Sequence, residues 1–246
     1  MSITGIRAVV WKEWREVFRL EQGLRSVTIR LMGAAAILLF LVWRKGANFG
    51  SDSSSVLLIT ELTILPTLPL PPDSFAGERE RHTLETLLAS SITEPDVFLG
   101  KFVAILAIGC AFAVTSCVVG VLLVGVRFKS AGLESIDVRI IFGGLFLGLL
   151  VTSIIVGVGI ILSSRAGTVR TANMMYAYSL VGAVFLGSFI LRSMPHPWIA
   201  MLTDWRANTA PLVQLITISG ILAALAVAVL AVGLATFKRR FLISPL

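Results

Sequence analysis

Charge is what this sequence has least of. Of its 246 residues only 14% are charged and 56% are hydrophobic, and the mean hydropathy is +0.91. Soluble domains carry roughly 25% charged residues, so an ordinary soluble fold is excluded. Histidine and cysteine are scarce as well, with 2 of each. Cys110 and Cys117 lie on one side of a helix inside one apolar run, without metal-ligand spacing, and read as small buried hydrophobes. His82 and His196 fall on opposite sides of the predicted membrane and cannot share a site. Met194, His196 and Met201 are loosely suggestive of a soft-metal contact, but a proline-rich interfacial turn is the simpler account.

Catalytic signatures are also missing. No GxxxxGK[ST] occurs, so the chain has no P-loop of its own. The nearest lookalike, Leu99-Gly100-Lys101-Phe102, lacks both the first glycine and the hydroxyl residue. There is no HExxH, GxSxG or CxxC. No catalytic, cofactor or metal residue is predicted, and the chain is expected not to be an enzyme. The first apolar run follows a charged amphipathic stretch rather than a short basic one, so no cleavable signal is expected.

What the sequence does have is apolar runs near or above the roughly 20 residues that cross a bilayer as a helix. Lipid offers backbone groups no water, so such runs must be helical. The alternating segments of a transmembrane barrel are absent. The predicted fold is all-α and polytopic, one transmembrane domain over 1–246 with spans near 24–43, 56–75, 97–126, 140–162, 174–191 and 212–237. Residues 3–20 alternate at helical period. Ile3, Ile6, Val10, Trp14 and Val17 form one face, widened by Trp11 and Phe18, with charges on the others, the pattern of an amphipathic interfacial helix. Residues 192–211 are neither a full span nor very polar, and predict a short interfacial or re-entrant helix pair on the outer side.

The second span carries Pro66, Pro69, Pro71 and Pro72, which remove backbone donors and predict a kink or break. Glu61 lies in the same span. It either lines a polar pathway with Pro66 and Pro69 or sits close to the outer interface. Gly144, Gly148 and Thr152 recur every fourth residue in the fourth span, a spacing that lets helices approach closely in lipid.

The longest polar interruption between spans is residues 73–101. It opens with the charge run Glu78, Arg79, Glu80, Arg81 and continues with Leu84, Leu87, Leu88 and Ile92 on one helical face. A helix is predicted over 78–92. Thr93 then reads as the N-cap of the third span, with Pro95 in its first turn and Asp96 at the capping-box position. An even number of spans puts both termini on one side. On the side of the termini, this insert and the 163–173 turn lie fourteen of the Lys and Arg residues, against seven opposite. The bias predicts cytoplasmic termini and a cytoplasmic insert, and explains the net charge of +7 without nucleic acid.

The run Phe75-Ala-Gly-Glu-Arg-Glu-Arg-His-Thr-Leu-Glu-Thr-Leu-Leu88, followed by Leu99-Gly-Lys-Phe102, resembles the ABC-2 type permease family. That family often shows an acid–base pair, a Thr-Leu-Glu-x-Leu-Leu helix and a Gly-Lys opening its third span. The amphipathic N-terminal helix, the six spans and the interfacial hairpin are similar too. His82 departs from the small residue often found before the threonine.

The resemblance implies a transmembrane subunit that dimerises with a second permease copy in the cell membrane. It also implies a separate ATP-binding subunit that carries the ATP and Mg. Of the residues here, Glu78, Glu80, Thr83, Leu84, Leu87 and Leu88 match the family's coupling helix, with Arg79 and Arg81 in the same predicted ATPase-docking segment. The expected function is an ATP-driven exporter of unspecified cargo. The alternatives are a membrane subunit that transmits force to an extracytoplasmic partner, and an unrelated six-span secondary carrier.

Overall fold

The computed structural model describes residues 3–19, 36, 40, 43, 44, 53–84, 93–134 and 136–237. Most of the predicted first span and residues 85–92 of the predicted coupling helix, Leu87 and Leu88 included, lie outside the described residues. Among the described residues there is no strand. The elements in order are α1 (Ile3–Arg19), α2 (Ser53–Ile64), a 3-10 turn (Leu65–Thr67), α3 (Leu70–Glu80), α4 (Glu94–Glu134), α5 (Val138–Arg165), α6 (Val169–Ser193), α7 (His196–Asn208) and α8 (Pro211–Thr236). Among the described residues, five segments are long and apolar enough to cross a membrane: Ser54–Glu80, Glu94–Val126, Val138–Arg165, Val169–Ser193 and Leu212–Thr236. The protein is an all-α, multi-pass membrane protein.

The prolines of the second span act together at one place. α2 ends at Ile64, and Pro66 sits in the 3-10 turn that follows. Pro69 is the N-cap of α3, and Pro71 and Pro72 occupy its first turn. There a missing N–H costs nothing, because a helix's first donors have no internal acceptor. The result is one short 3-10 interruption followed by a regular helix. Threonines line it: the Thr63 hydroxyl donates to Ile59 O at 3.0 Å and the Thr67 hydroxyl to Ile64 O at 2.7 Å, so neither is left unpaired in an apolar setting.

The small residues of α5 make room for that broken span. A methyl group on Gly144 would lie 2.8 Å from Ile59 Cβ, and one on Gly159 would lie 2.5 Å from Pro71 Cβ. Ser163, one turn further, uses its full hydrogen-bonding capacity on α3. Its hydroxyl donates to Pro72 O at 2.7 Å and accepts from the backbone N–H groups of Phe75 and Ala76, both at 3.1 Å. The main hydrophobic core lies beside this stitch and includes Phe75, Leu84, Val97, Phe98, Phe102, Val156, Ile160 and Phe237. Cys117 is buried and Cys110 half-buried, both as free thiols.

Two boundaries differ from the sequence expectation. Residues 163–173 were predicted as a polar turn, but only Ala166–Thr168 leave the helix, because Thr168 caps α6 by accepting from Thr171 N at 3.1 Å. In place of a helix pair between the last two spans, the chain forms the single helix α7, set off by Pro195 before it and Pro211 after it.

Candidate functional site: the node where the polar insert leaves the bundle

The charge run Glu78–Arg81 does not begin a helix. It ends one. α3 continues through Glu80 and closes with His82 in the left-handed region at φ 55°. His82 N–H donates to Arg79 O at 3.1 Å and Thr83 N–H to Glu78 O at 3.0 Å, the paired bonds of a Schellman C-cap. The coupling helix therefore does not start at Glu78 as predicted; the chain turns over Arg81–Thr83 first. The helical period of the insert carries no mark where one helix ends and the next begins, and His82 stands where glycine would have signalled a stop.

Because the run finishes a membrane helix, Glu78 is turned inward, and Glu78, Arg79 and Glu80 are each held by another part of the chain. Glu78 is 3% exposed and pairs with Lys12 of α1 and with Lys101 of α4, the latter at 3.0 Å. Lys101 is 1% exposed; it also meets Glu13 at 2.6 Å, donates to Ser74 O at 2.8 Å and lies over the Phe75 ring. The Arg79 guanidinium donates to Ala166 O and to Ser164 O, capping the C-terminal end of α5. Glu80 Oε1 accepts from Val169 N–H at 2.8 Å, at the N-terminus of α6, where a negative charge is favoured. Arg81 reaches back to Asp73 at 3.2 Å in an exposed pair.

Two lysines and two carboxylates thus form a charge-neutral cluster, and burial makes it consequential. Taking an ion out of water costs several kcal/mol unless its partners are well placed, and removing one partner of a buried pair costs about 3–5 kcal/mol. Close approach is built in on the α1 side as well: a methyl group on Gly100 would lie 2.5 Å from Val9 Cβ. Lys12, Glu13 and Lys101 were not singled out from the sequence as pairing residues. The one available signal was the Gly100-Lys101 pair at the head of an apolar span, where a lone lysine needs a counter-ion.

Of the eight residues assigned to ATPase docking, Glu80, Arg81 and Thr83 are exposed and Arg79 is half-buried. Glu78 and Leu84 are buried, Leu84 in the chain's own core. Leu87 and Leu88 are among the residues not described. Thr93 stands immediately before α4, and its carbonyl accepts from Asp96 and Val97 N–H at 3.0 and 3.1 Å, so the predicted start of that helix is observed. Glu61 is exposed on α2, whereas Pro66 and Pro69 are half-buried at the break below it; the structure does not bring the three together.

The family model described as ABC-2 type transporter matches residues 4–205, most of the chain. The chain belongs to the ABC-2 type transporter family. It is accordingly the membrane-embedded permease subunit of an ABC transporter, a component that works with an ATP-binding subunit. The reading as an unrelated secondary carrier gives way to this placement. No curated protein sequence matches the chain.

Proposed function

We propose that this permease couples ATP hydrolysis on a separate subunit to the export of an amphipathic or apolar cargo. The segment after Glu80 serves as its handle. The observation that carries this reading is the Glu78–Lys101–Lys12–Glu13 cluster. It lies where the polar insert departs from α3 and returns as α4, so a pull on the insert acts on both helices and on α1 together. α3 in turn is the lower half of the proline-broken span. Motion at the handle is therefore delivered to the one place in that span where the helical ladder is already interrupted.

In this proposal two permease copies bind two ATP-binding subunits, with both termini and the insert in the cytoplasm. Closure of the ATP-binding pair moves the handles, and the permeases rock at their shared interface in alternating access. No residue of this chain takes part in the hydrolysis; its side chains bind, position and transmit. The scarcity of charge along the spans favours an apolar or amphipathic cargo over a small ion.

The test is co-expression with an ATP-binding subunit, followed by co-purification. A Leu87→Ala, Leu88→Ala double variant is expected to reach the membrane in normal amount and to lose most of the bound ATPase. Leu84→Ala, whose side chain belongs to the core, is expected to lower the yield of folded permease instead. Undiminished co-purification of the double variant would refute the assignment of the handle.

A further inference from the structure

α1 is two-sided, and its outer side is unlike what the sequence pattern suggests. Val9, Lys12 and Glu13 face the bundle: Val9 packs on Gly100, and the two charges join the buried cluster. The opposite strip follows at four-residue intervals as Ile3, Arg7, Trp11 and Arg15, all exposed, with Ile3 at 86% and Trp11 at 58%. The bases and an indole therefore share one strip rather than taking opposite faces. Arg15 stacks over the Trp11 ring at 4.6 Å, which fixes the indole and presents the guanidinium beside it. Neither Arg7 nor Arg15 has a carboxylate partner among the described residues.

We propose that this strip binds the phosphates of anionic phospholipids in the leaflet on which α1 lies. The chain is a membrane protein, so headgroups are present at the ends of its spans, where α3 and α4 meet α1. Tryptophan settles at headgroup level. Arginine grips phosphate with paired N–H donors. Each basic side chain close to an anionic surface strengthens binding about fivefold. The two uncompensated arginines supply the charge complementarity, and Trp11 and Ile3 supply the apolar contact. The opposite face of the same helix holds Lys101 and Glu78 through Lys12 and Glu13, so a bound headgroup lies one helix width from the node. This inference does not depend on the direction of transport, the identity of the cargo or the side of the membrane.

The experiment uses the purified full chain in nanodiscs of phosphatidylcholine. These are doped with a small fraction of bromine-labelled phosphatidylglycerol or, in parallel, bromine-labelled phosphatidylcholine. The readout is quenching of the tryptophan emission that is lost in Trp11→Phe. The expected result is a preference of about 25-fold for the brominated anionic lipid, about fivefold from each arginine. Arg7→Gln and Arg15→Gln are each expected to reduce the preference about fivefold, and the pair to abolish it. Equal quenching of the unsubstituted chain by the two lipids would overturn the proposal. So would a preference that survives both substitutions. Absence of quenching by either lipid would mean that protein covers the strip, a second copy or another subunit, and would overturn it equally.

Discussion

The two halves of this permease solve the membrane problem differently. In α2, α3, α4 and α5, between 33 and 39% of the most apolar stretch of each span is buried within the chain, whereas in α6 and α8 the figure is 6%. The first half closes on itself, with glycines against β-carbons, a serine stitched into a neighbouring backbone and a buried ion cluster at one end. The second half turns Phe185, Phe189, Ile221 and Val227 outward, toward lipid or another chain. The contrast teaches where conformational signals can travel. Tightly packed elements with buried charges have few ways to rearrange and transmit displacement as units, while exposed apolar helices can slide against lipid at little cost.

The largest expected effect falls on the node. Lys101→Met strands Glu78 with half of its counter-charge and leaves Glu13 without its buried partner. It should destabilise the chain by about 3–5 kcal/mol, read as a shift in the SDS-induced unfolding midpoint. Next comes packing. Gly159→Ala places a methyl against the rigid ring of Pro71 and should cost about 1–3 kcal/mol. In the other half, Gly187 has nothing within 4 Å of an added methyl, and Gly187→Ala should be neutral or stabilising by up to about 1 kcal/mol. Equal effects of the two substitutions would erase the contrast between the halves. His82→Gly should stabilise by roughly 1 kcal/mol, because glycine adopts the left-handed cap at φ 55° without strain. Arg81→Ala, which breaks only the exposed pair with Asp73, should change stability by less than about 1 kcal/mol. A larger loss would mean that the turn after α3 is held more firmly than its exposure implies.

Much of the fold was legible in the sequence because its signals are local. Length and hydropathy gave the five spans that lie among the described residues, prolines gave the break, and the every-fourth-residue glycines of α5 gave the face that receives α2. Thr93 announced the start of α4 through cap chemistry that needs only a few adjacent residues. The site was less legible, because its pairs join residues far apart in the chain. Glu78 read as a docking residue and Lys101 as a span opener until packing placed α1 across both. Leu84 read as part of an exposed stripe, since periodicity shows which residues share a face but not what that face meets. His82 concealed a helix end, because an αL histidine looks like any other polar residue in a helical run.

A double-mutant cycle on Glu78 and Lys101 bears most directly on the node. Glu78→Gln, Lys101→Met and their combination would be compared with the unsubstituted chain by SDS-induced unfolding. If the two side chains form the buried pair that ties α3 to α4, the double variant should recover about 2 kcal/mol or more of the summed single losses. Effects that add to within about 0.5 kcal/mol would show two independent charges, and would contradict the coupling of the polar insert to the bundle through this pair.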